Sequence, residues 1–262
     1  MNKNNTLLCC DWGTTNFRLY LVEKSTEQII GQVQSKYGIA EAFNAWKESG
    51  EDRIEFFRRF LNDYIGLLEN EVHSILQKVP VVLSGMASSS IGMIEIPYAQ
   101  LPFNLHQPQL DYHKIFATTE YPNDLYLFTG LRSENDVMRG EEVQMLGLKD
   151  LLPQTNCLCI LPGTHSKHII IENGQINDFK TYMTGEVFQI LKGFSILKNS
   201  VANGKATKED FQKGILKAIE GNILNHLFSV RTNDILHDFS PTANHAYLSG
   251  LMIGTELKSI LN

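Results

Sequence analysis

Two short turns in this chain place glycine, hydroxyl and charged side chains where a phosphate group could be held. The first is Asp11-Trp12-Gly13-Thr14-Thr15. A glycine between strands lets backbone amides come close to an anion, and the threonines beside it add hydroxyl donors. An aspartate at the end of a strand can hold Mg2+ directly or through water, as phosphate sites require. Taken alone, the segment reads equally well as a plain hairpin with glycine at its tight position. A second turn, Pro162-Gly163-Thr164-His165-Ser166-Lys167, repeats the pattern and adds cationic donors. Singly, His165 is compatible with a structural histidine and Lys167 with a solvated charge. Two such turns at matching places are a much stronger signal than one. Neither G-x-x-x-x-G-K-[ST] nor a post-strand G-x-G-x-x-G occurs, so the two common nucleotide motifs are excluded.

The elements around the turns must position them. Apolar and alternating runs predict strands over Thr6–Cys10, Phe17–Val22 and Gln28–Gln34, followed by a helix over Glu51–Leu76. Val81–Ser84 and Leu125–Thr129 read as further strands. Between them, Ala87–Thr119 carries Pro97, Pro102 and Pro108 and reads as loops with short strands. A helix is expected over Glu141–Leu151, then strands over Cys157–Leu161, His168–Glu172 and Ile176–Met183. Asn173-Gly174 is a hairpin turn, since both positions tolerate positive φ. Helices fill the rest, around Glu186–Leu191, Lys208–Glu220, Ile223–Val230 and Ala243–Leu261. Strand, glycine-threonine turn, strand, strand, helix thus occurs twice, and two such units side by side would face their turns across one cleft.

Composition limits the function classes. The chain has 262 residues, 43% hydrophobic and 20% charged, with a net charge of −6. That is ordinary globular composition, and the length suffices to bury roughly three quarters of the unfolded surface. Acidity argues against a protein that tracks a nucleic-acid backbone, which needs a basic stripe; a nucleotide needs only a local cradle. The N-terminal apolar run is too short for an export signal, and no stretch reaches the ~18 apolar residues of a membrane span. A cytoplasmic protein without membrane contact is expected, and a homo-oligomer is compatible with it. Cys9, Cys10, Cys157 and Cys159 read as small apolar residues in buried strands; adjacent cysteines on a strand point to opposite faces and grip one ion poorly.

The pairing of DWGTTNFRLYLV with LPGTHSKHIII resembles the two phosphate motifs of the actin–hexokinase–Hsp70 superfamily. Within it the chain is similar to the 2-dehydro-3-deoxygalactonokinases. The similarity is carried by DWGTTNFRLYL, SGMASSSIGM, VMRGEEVQMLG, LPGTHSKH, TGEVFQIL and YLSGLMIGTEL, from Cys10 to Leu257. The resemblance implies an α/β protein of two ribonuclease-H-like domains around a cleft, residues 1–140 and 141–262. It implies ATP-dependent phosphorylation of the 6-hydroxyl of 2-dehydro-3-deoxy-D-galactonate, a step of galactonate catabolism, with Mg2+ as cofactor.

Residue by residue, the resemblance gives Asp11 the metal at the β- and γ-phosphates and Gly13, Thr14 and Thr15 their cradle. Gly163, Thr164 and His165 would hold the phosphates from the other domain. Ser84, with Ser88 and Ser89, would lie beside the sugar acid, and Arg139 is a fork-shaped donor for its carboxylate or for the moving phosphoryl group. Glu141 and Glu142 supply a carboxylate pair; without the resemblance they read as an acidic first helical turn complementing the helix dipole. Side chains one residue apart diverge by about 100° on a helix, so only one of them can face a common site. Glu141, nearer the loop, is the favoured base, with Glu186 or Asp136 as alternatives. Glu186 reads either as a group behind the site or as an N-terminal helix charge.

Two rival functions share this pattern: a phosphohydrolase similar to exopolyphosphatases, and a non-catalytic module that senses a nucleotide or sugar. Members of the resembled family continue past a helix like Ala243–Leu261 into a strand and a glycine-rich turn that lies against adenosine; this sequence stops at Asn262. The resulting expectation is a shortened form, or one completed by another chain. It would bind ATP weakly through the phosphates, with an exposed sheet edge and an uncovered apolar face on its last helix.

Overall fold

Alternation of apolar residues decides the first sheet. In the computed structural model, which describes residues 5–153 and 155–260, β1 (Thr6–Trp12), β2 (Phe17–Glu23) and β3 (Ile29–Ser35) form an antiparallel meander. β1 and β2 bury every second side chain, Leu8, Cys10 and Trp12 against Phe17, Leu19 and Leu21, as the two-residue strand period requires. α1 (Ile39–Ser49) and α2 (Arg53–Val72) follow and cover this sheet with Phe57, Leu61, Ile65 and Leu68. Asp52 caps α2 by accepting the amides of Ile54 and Glu55 at 2.9 and 3.2 Å.

β4 (Val81–Gly85) then lies parallel to β1, bringing Ser84 beside Asp11 and Gly85 beside Trp12 in register. β5 (Ala99–Gln100), β6 (Phe103–Asn104), β7 (Tyr112–Ile115) and β8 (Leu125–Phe128) come next, and the six-stranded sheet runs β3-β2-β1-β4-β8-β7. Short β9 (Leu131–Arg132) and β10 (Val137–Met138) join β5 in a small sheet that leads directly into α3 (Glu141–Leu148).

The meander and its helix recur as β11 (Cys157–Leu161), β12 (Ser166–Glu172), β13 (Gln175–Tyr182) and α4 (Thr184–Phe194), in a sheet of order β11-β12-β13-β6. Asn173 and Gly174 adopt φ of 52° and 73° at the hairpin between β12 and β13. α5 (Lys208–Ile219), α6 (Ile223–Leu236) and α7 (Pro241–Lys258) complete the order; of the helix expected over Ala243–Leu261, Leu261 lies outside the described residues.

The chain forms two compact units. One runs to Leu158 and takes in Ile170–Phe179; the other comprises Cys159–Ile169 and the chain from Lys180 onward. The division expected between residues 140 and 141 therefore falls inside the first unit, because α3 stays with β4. α1 was not anticipated: its apolar stripe is short, although Gly50 at φ 71° marks its end. α7 buries Tyr247, Leu248 and Leu251 on one side, while its Ile253 and Leu257 border an open cavity together with Ile160 and Phe188. Exposed apolar residues also lie on α5 (Leu216, Ile219) and α6 (Leu224, Phe228, Ile235, Leu236), and on the edge strand β11 (Leu158, Ile160). Among the described residues, no helix is long and apolar enough to cross a membrane.

Candidate active site

In the first unit, the carboxyl ends of β1 and β4 and the start of α3 meet. Gly85 (φ 86°) turns the chain out of β4, and a Cβ there would come within 2.8 Å of the Trp12 carbonyl. Gly140 (φ 108°) sits against it, and a Cβ on Gly140 would lie 3.3 Å from the Gly85 Cα and 3.8 Å from Ser84 Oγ. Only glycine tolerates both that backbone angle and that approach. The two glycines thus bring the Glu141–Glu142 pair to the strand ends that carry Asp11 and Ser84.

Asp11 faces solvent at this end, and Arg18, its cross-strand partner, donates from Nη1 to Oδ2 at 2.9 Å. Both side chains are close to half exposed, so the pair contributes little to stability. The next turn is closed by the Gly13 amide donating to the Asn16 carbonyl at 2.8 Å, with Thr14 and Thr15 exposed. Asp11 fits a magnesium site by its donor chemistry: one accessible hard oxygen ligand beside a turn, where Mg2+ usually takes one or two carboxylates, phosphate oxygens and several waters. Among the described residues no cluster of three or more His, Cys, Asp or Glu side chains gathers.

The two glutamates differ sharply. Glu142 is 1% exposed, and the Gly140 amide donates to both of its oxygens at 2.9 and 2.8 Å. Burial pushes its carboxyl from 4.5 up to about 8, against the opposing pull of the Glu142 and Gly140 amides. Glu141 is half-buried and accepts the Arg139 amide at 3.0 Å. Between pH 4.5 and about 8 the folded chain therefore keeps a proton on Glu142 that the unfolded chain has released. Stability from this group is full below 4.5 and falls as pH rises through that window. Wild type should lose on the order of 4 kcal/mol between about pH 5 and about pH 8, whereas Glu142→Gln, uncharged throughout, should not. Urea unfolding at several pH values measures this, and parallel curves for the two proteins would remove Glu142 as the responsible group.

The serines and Arg139 turn inward. Ser88 and Ser89 are buried and donate to the carbonyls of Phe128 and Met86 at 2.5 and 2.7 Å. Arg139, 8% exposed, donates to Ser88 Oγ at 2.5 Å and to the Ile96 carbonyl at 3.1 Å, and its guanidinium lies 4.2 Å from the centre of the Tyr98 ring. These three side chains brace the loop after β4. Arg53 supports the same loop, donating to the Gly92 and Ser90 carbonyls at 2.6 and 2.7 Å. Ser84 alone of the expected serines stays at the strand ends, half-buried beside Asp11.

In the second unit, Pro162, Gly163 and Thr164 are exposed between β11 and β12. The start of α4 supports the turn: the Glu186 amide donates to the Thr164 carbonyl at 3.0 Å, and a Cβ on Gly185 would meet the Gly163 carbonyl at 2.5 Å. His165 Nε2 lies 2.5 Å from Glu186 Oε2, which makes Glu186 the partner of a turn residue. Lys167 is not a solvated charge; it is 5% exposed.

Behind the turn, Glu256 of α7 accepts Ser166 Oγ at 2.7 Å and lies 2.8 Å from His168 Nε2, all three buried. Sequence reasoning missed this cluster, because Glu256 lies 90 positions from Ser166 and only the packing of α7 joins them. Ser166 and Glu256 border a cavity of about 430 Å3 whose walls include Gly163, Thr184, Phe188, Met252 and Ile253.

The family model for 2-keto-3-deoxy-galactonokinase matches residues 11–262. A curated protein of Rhizobium meliloti (strain 1021) described as a 2-dehydro-3-deoxygalactonokinase is 30% identical over 260 residues, spanning 96% of this chain and 79% of the relative. The 2-dehydro-3-deoxygalactonokinase of Escherichia coli (strain K12) is 29% identical, spanning 97% and 80%. A crystal structure from Sinorhizobium meliloti, described as the same kinase, superposes with a TM-score of 0.82 at 27% identity, over 97% of this chain and 80% of that one.

Proposed function

Because the chain belongs to the 2-keto-3-deoxy-galactonokinase family, we propose that it transfers the terminal phosphoryl group of ATP to the 6-hydroxyl of 2-dehydro-3-deoxy-D-galactonate. It is a phosphotransferase, with ATP as co-substrate. The observation that carries the reading from the structure is the glycine in each turn. Neither Gly13 nor Gly163 adopts a positive φ. A Cβ at Gly13 would meet nothing closer than Asn16 O at 3.5 Å, and one at Gly163 nothing closer than His165 O at 3.8 Å. The fold does not need glycine at either place, whereas a phosphate approaching the backbone does.

In this reading Thr14 and Thr15 on one turn, and Gly163, Thr164 and His165 on the other, hold the phosphates. Asp11 would hold magnesium, which supplies charge neutralisation at the β- and γ-phosphates. The Glu141 carboxylate accepts the hydroxyl proton as the sugar oxygen bonds to the γ-phosphorus and the bond to the bridging oxygen breaks, releasing ADP. Glu142 stays protonated and inward, holding the Gly140 amide and with it the start of α3. The cavity beside Gly163 favours a second reading of how ATP is held: its apolar walls offer a place for a nucleoside, against the expectation of binding through the phosphates alone.

A coupled assay over a panel of sugar acids tests the activity. ADP release that tracks 2-dehydro-3-deoxy-D-galactonate is the expected result. Phosphate release without an acceptor would favour the hydrolase, and ligand binding without turnover would favour the sensing module.

A further inference from the structure

We propose that Glu256 is the positioning residue of the second phosphate turn, tying α7 to the first residues of both β12 and α4; this rests on the kinase reading above. Glu256 is 7% exposed, and its carboxylate receives hydrogen bonds from Ser166, His168 and Thr184. These donors flank the turn on both sides. Ser166 follows Thr164 by two residues, and Thr184 precedes Gly185, which backs the Gly163 carbonyl. The turn itself is exposed, so its position depends on those two anchor points, and one carboxylate holds both.

The holder is rigid. α7 packs on α5 with backbone nearly touching backbone: a Cβ on Gly250 would come within 2.0 Å of the Phe211 carbonyl, and one on Gly214 within 2.1 Å of the Tyr247 carbonyl. Tyr182 adds a further tie, its ring centre 4.4 Å from that of His168 and its hydroxyl 2.6 Å from Ser259 Oγ, one residue past the end of α7. A carboxylate that touched the nucleotide directly would repel its phosphates. Here Oε1 accepts from both Ser166 and His168, which fits a group that acts through the turn. Its loss would leave the Ser166 hydroxyl and the His168 N–H as buried donors without their acceptor, and such groups reorganise to find one. A displacement of about 1 Å at a catalytic position can cost on the order of 100-fold in rate.

The test compares Glu256→Gln, Glu256→Ala and Ser166→Ala with wild type, in steady-state kinetics with ATP and sugar acid varied separately and in calorimetry with tripolyphosphate. Far-ultraviolet dichroism checks folding. Glu256→Gln keeps the side chain's volume and one acceptor oxygen. It should raise the KM for ATP and the Kd for tripolyphosphate about 10-fold, with the sugar-acid KM within about twofold of wild type. Glu256→Ala should be worse in the same parameters, so that Gln partly rescues Ala. Unchanged tripolyphosphate binding in a folded Glu256 variant would overturn the proposal, as would ATP and sugar-acid KM values that rise in step, the mark of general loosening. If Glu256→Ala does not fold, Glu256→Gln and Ser166→Ala carry the comparison. A wild type that binds tripolyphosphate but never phosphorylates a sugar acid would count against the kinase reading alone, because the binding arm still reports on Glu256.

Discussion

Glu141→Gln should lower turnover by about 1,000-fold, within the range for losing a general base, while Glu142→Gln stays within about tenfold of wild type. The asymmetry follows from their surroundings. Glutamine at 142 keeps an acceptor oxygen for the Gly140 amide and resembles the protonated carboxyl that burial already favours at neutral pH. Glutamine at 141 keeps the contact to the Arg139 amide but cannot take a proton. The measurement is kcat at saturating ATP and sugar acid, followed by the pH profile. Two mild variants would place the base elsewhere, with Asp136 and Glu186 the next candidates, and an inactive Glu142→Gln beside a mild Glu141→Gln would exchange the two roles.

Asp11→Asn should also reduce turnover by two or more orders of magnitude, the scale on which one preorganised electrostatic group acts. The substitution should leave the fold intact, because the Asp11 carboxylate pairs with Arg18 where both side chains are close to half exposed, and such a pair contributes at most about 1 kcal/mol. Sugar-acid affinity should change little, while the magnesium concentration giving half-maximal rate should rise. Arg18→Gln separates the alternatives: if the ion pair were the purpose of Asp11, both variants would share one mild phenotype. Full wild-type activity of Asp11→Asn, or of wild type in excess chelator, would remove Asp11 from the metal.

Much of the architecture was legible because it is local. The two-residue alternation of Leu8, Cys10 and Trp12 states a strand with one buried face whatever the chain does elsewhere, and Asn173-Gly174 states a hairpin through backbone angles alone. The repeat of meander, glycine-threonine turn and helix follows from the same short-range rules, whereas the family was legible through the resemblance of segments such as VMRGEEVQMLG and LPGTHSKH. Side-chain roles at the site were not legible. That Arg139 and Ser88 meet each other and the Ile96 and Phe128 carbonyls, for instance, follows from no local pattern. Glu141 and Glu142 are one residue type at adjacent positions, separated only by which of them the Gly85–Gly140 contact leaves buried. Glu256 lies in the YLSGLMIGTEL segment, where nothing local shows what it does, and it becomes a partner of Ser166 and His168 because α7, packed backbone to backbone on α5, holds it there. Backbone form is set by neighbours along the chain and can be read there. The desolvation and hydrogen-bond partners that decide what a carboxylate does come from residues far away in sequence, and only the folded packing brings them within reach.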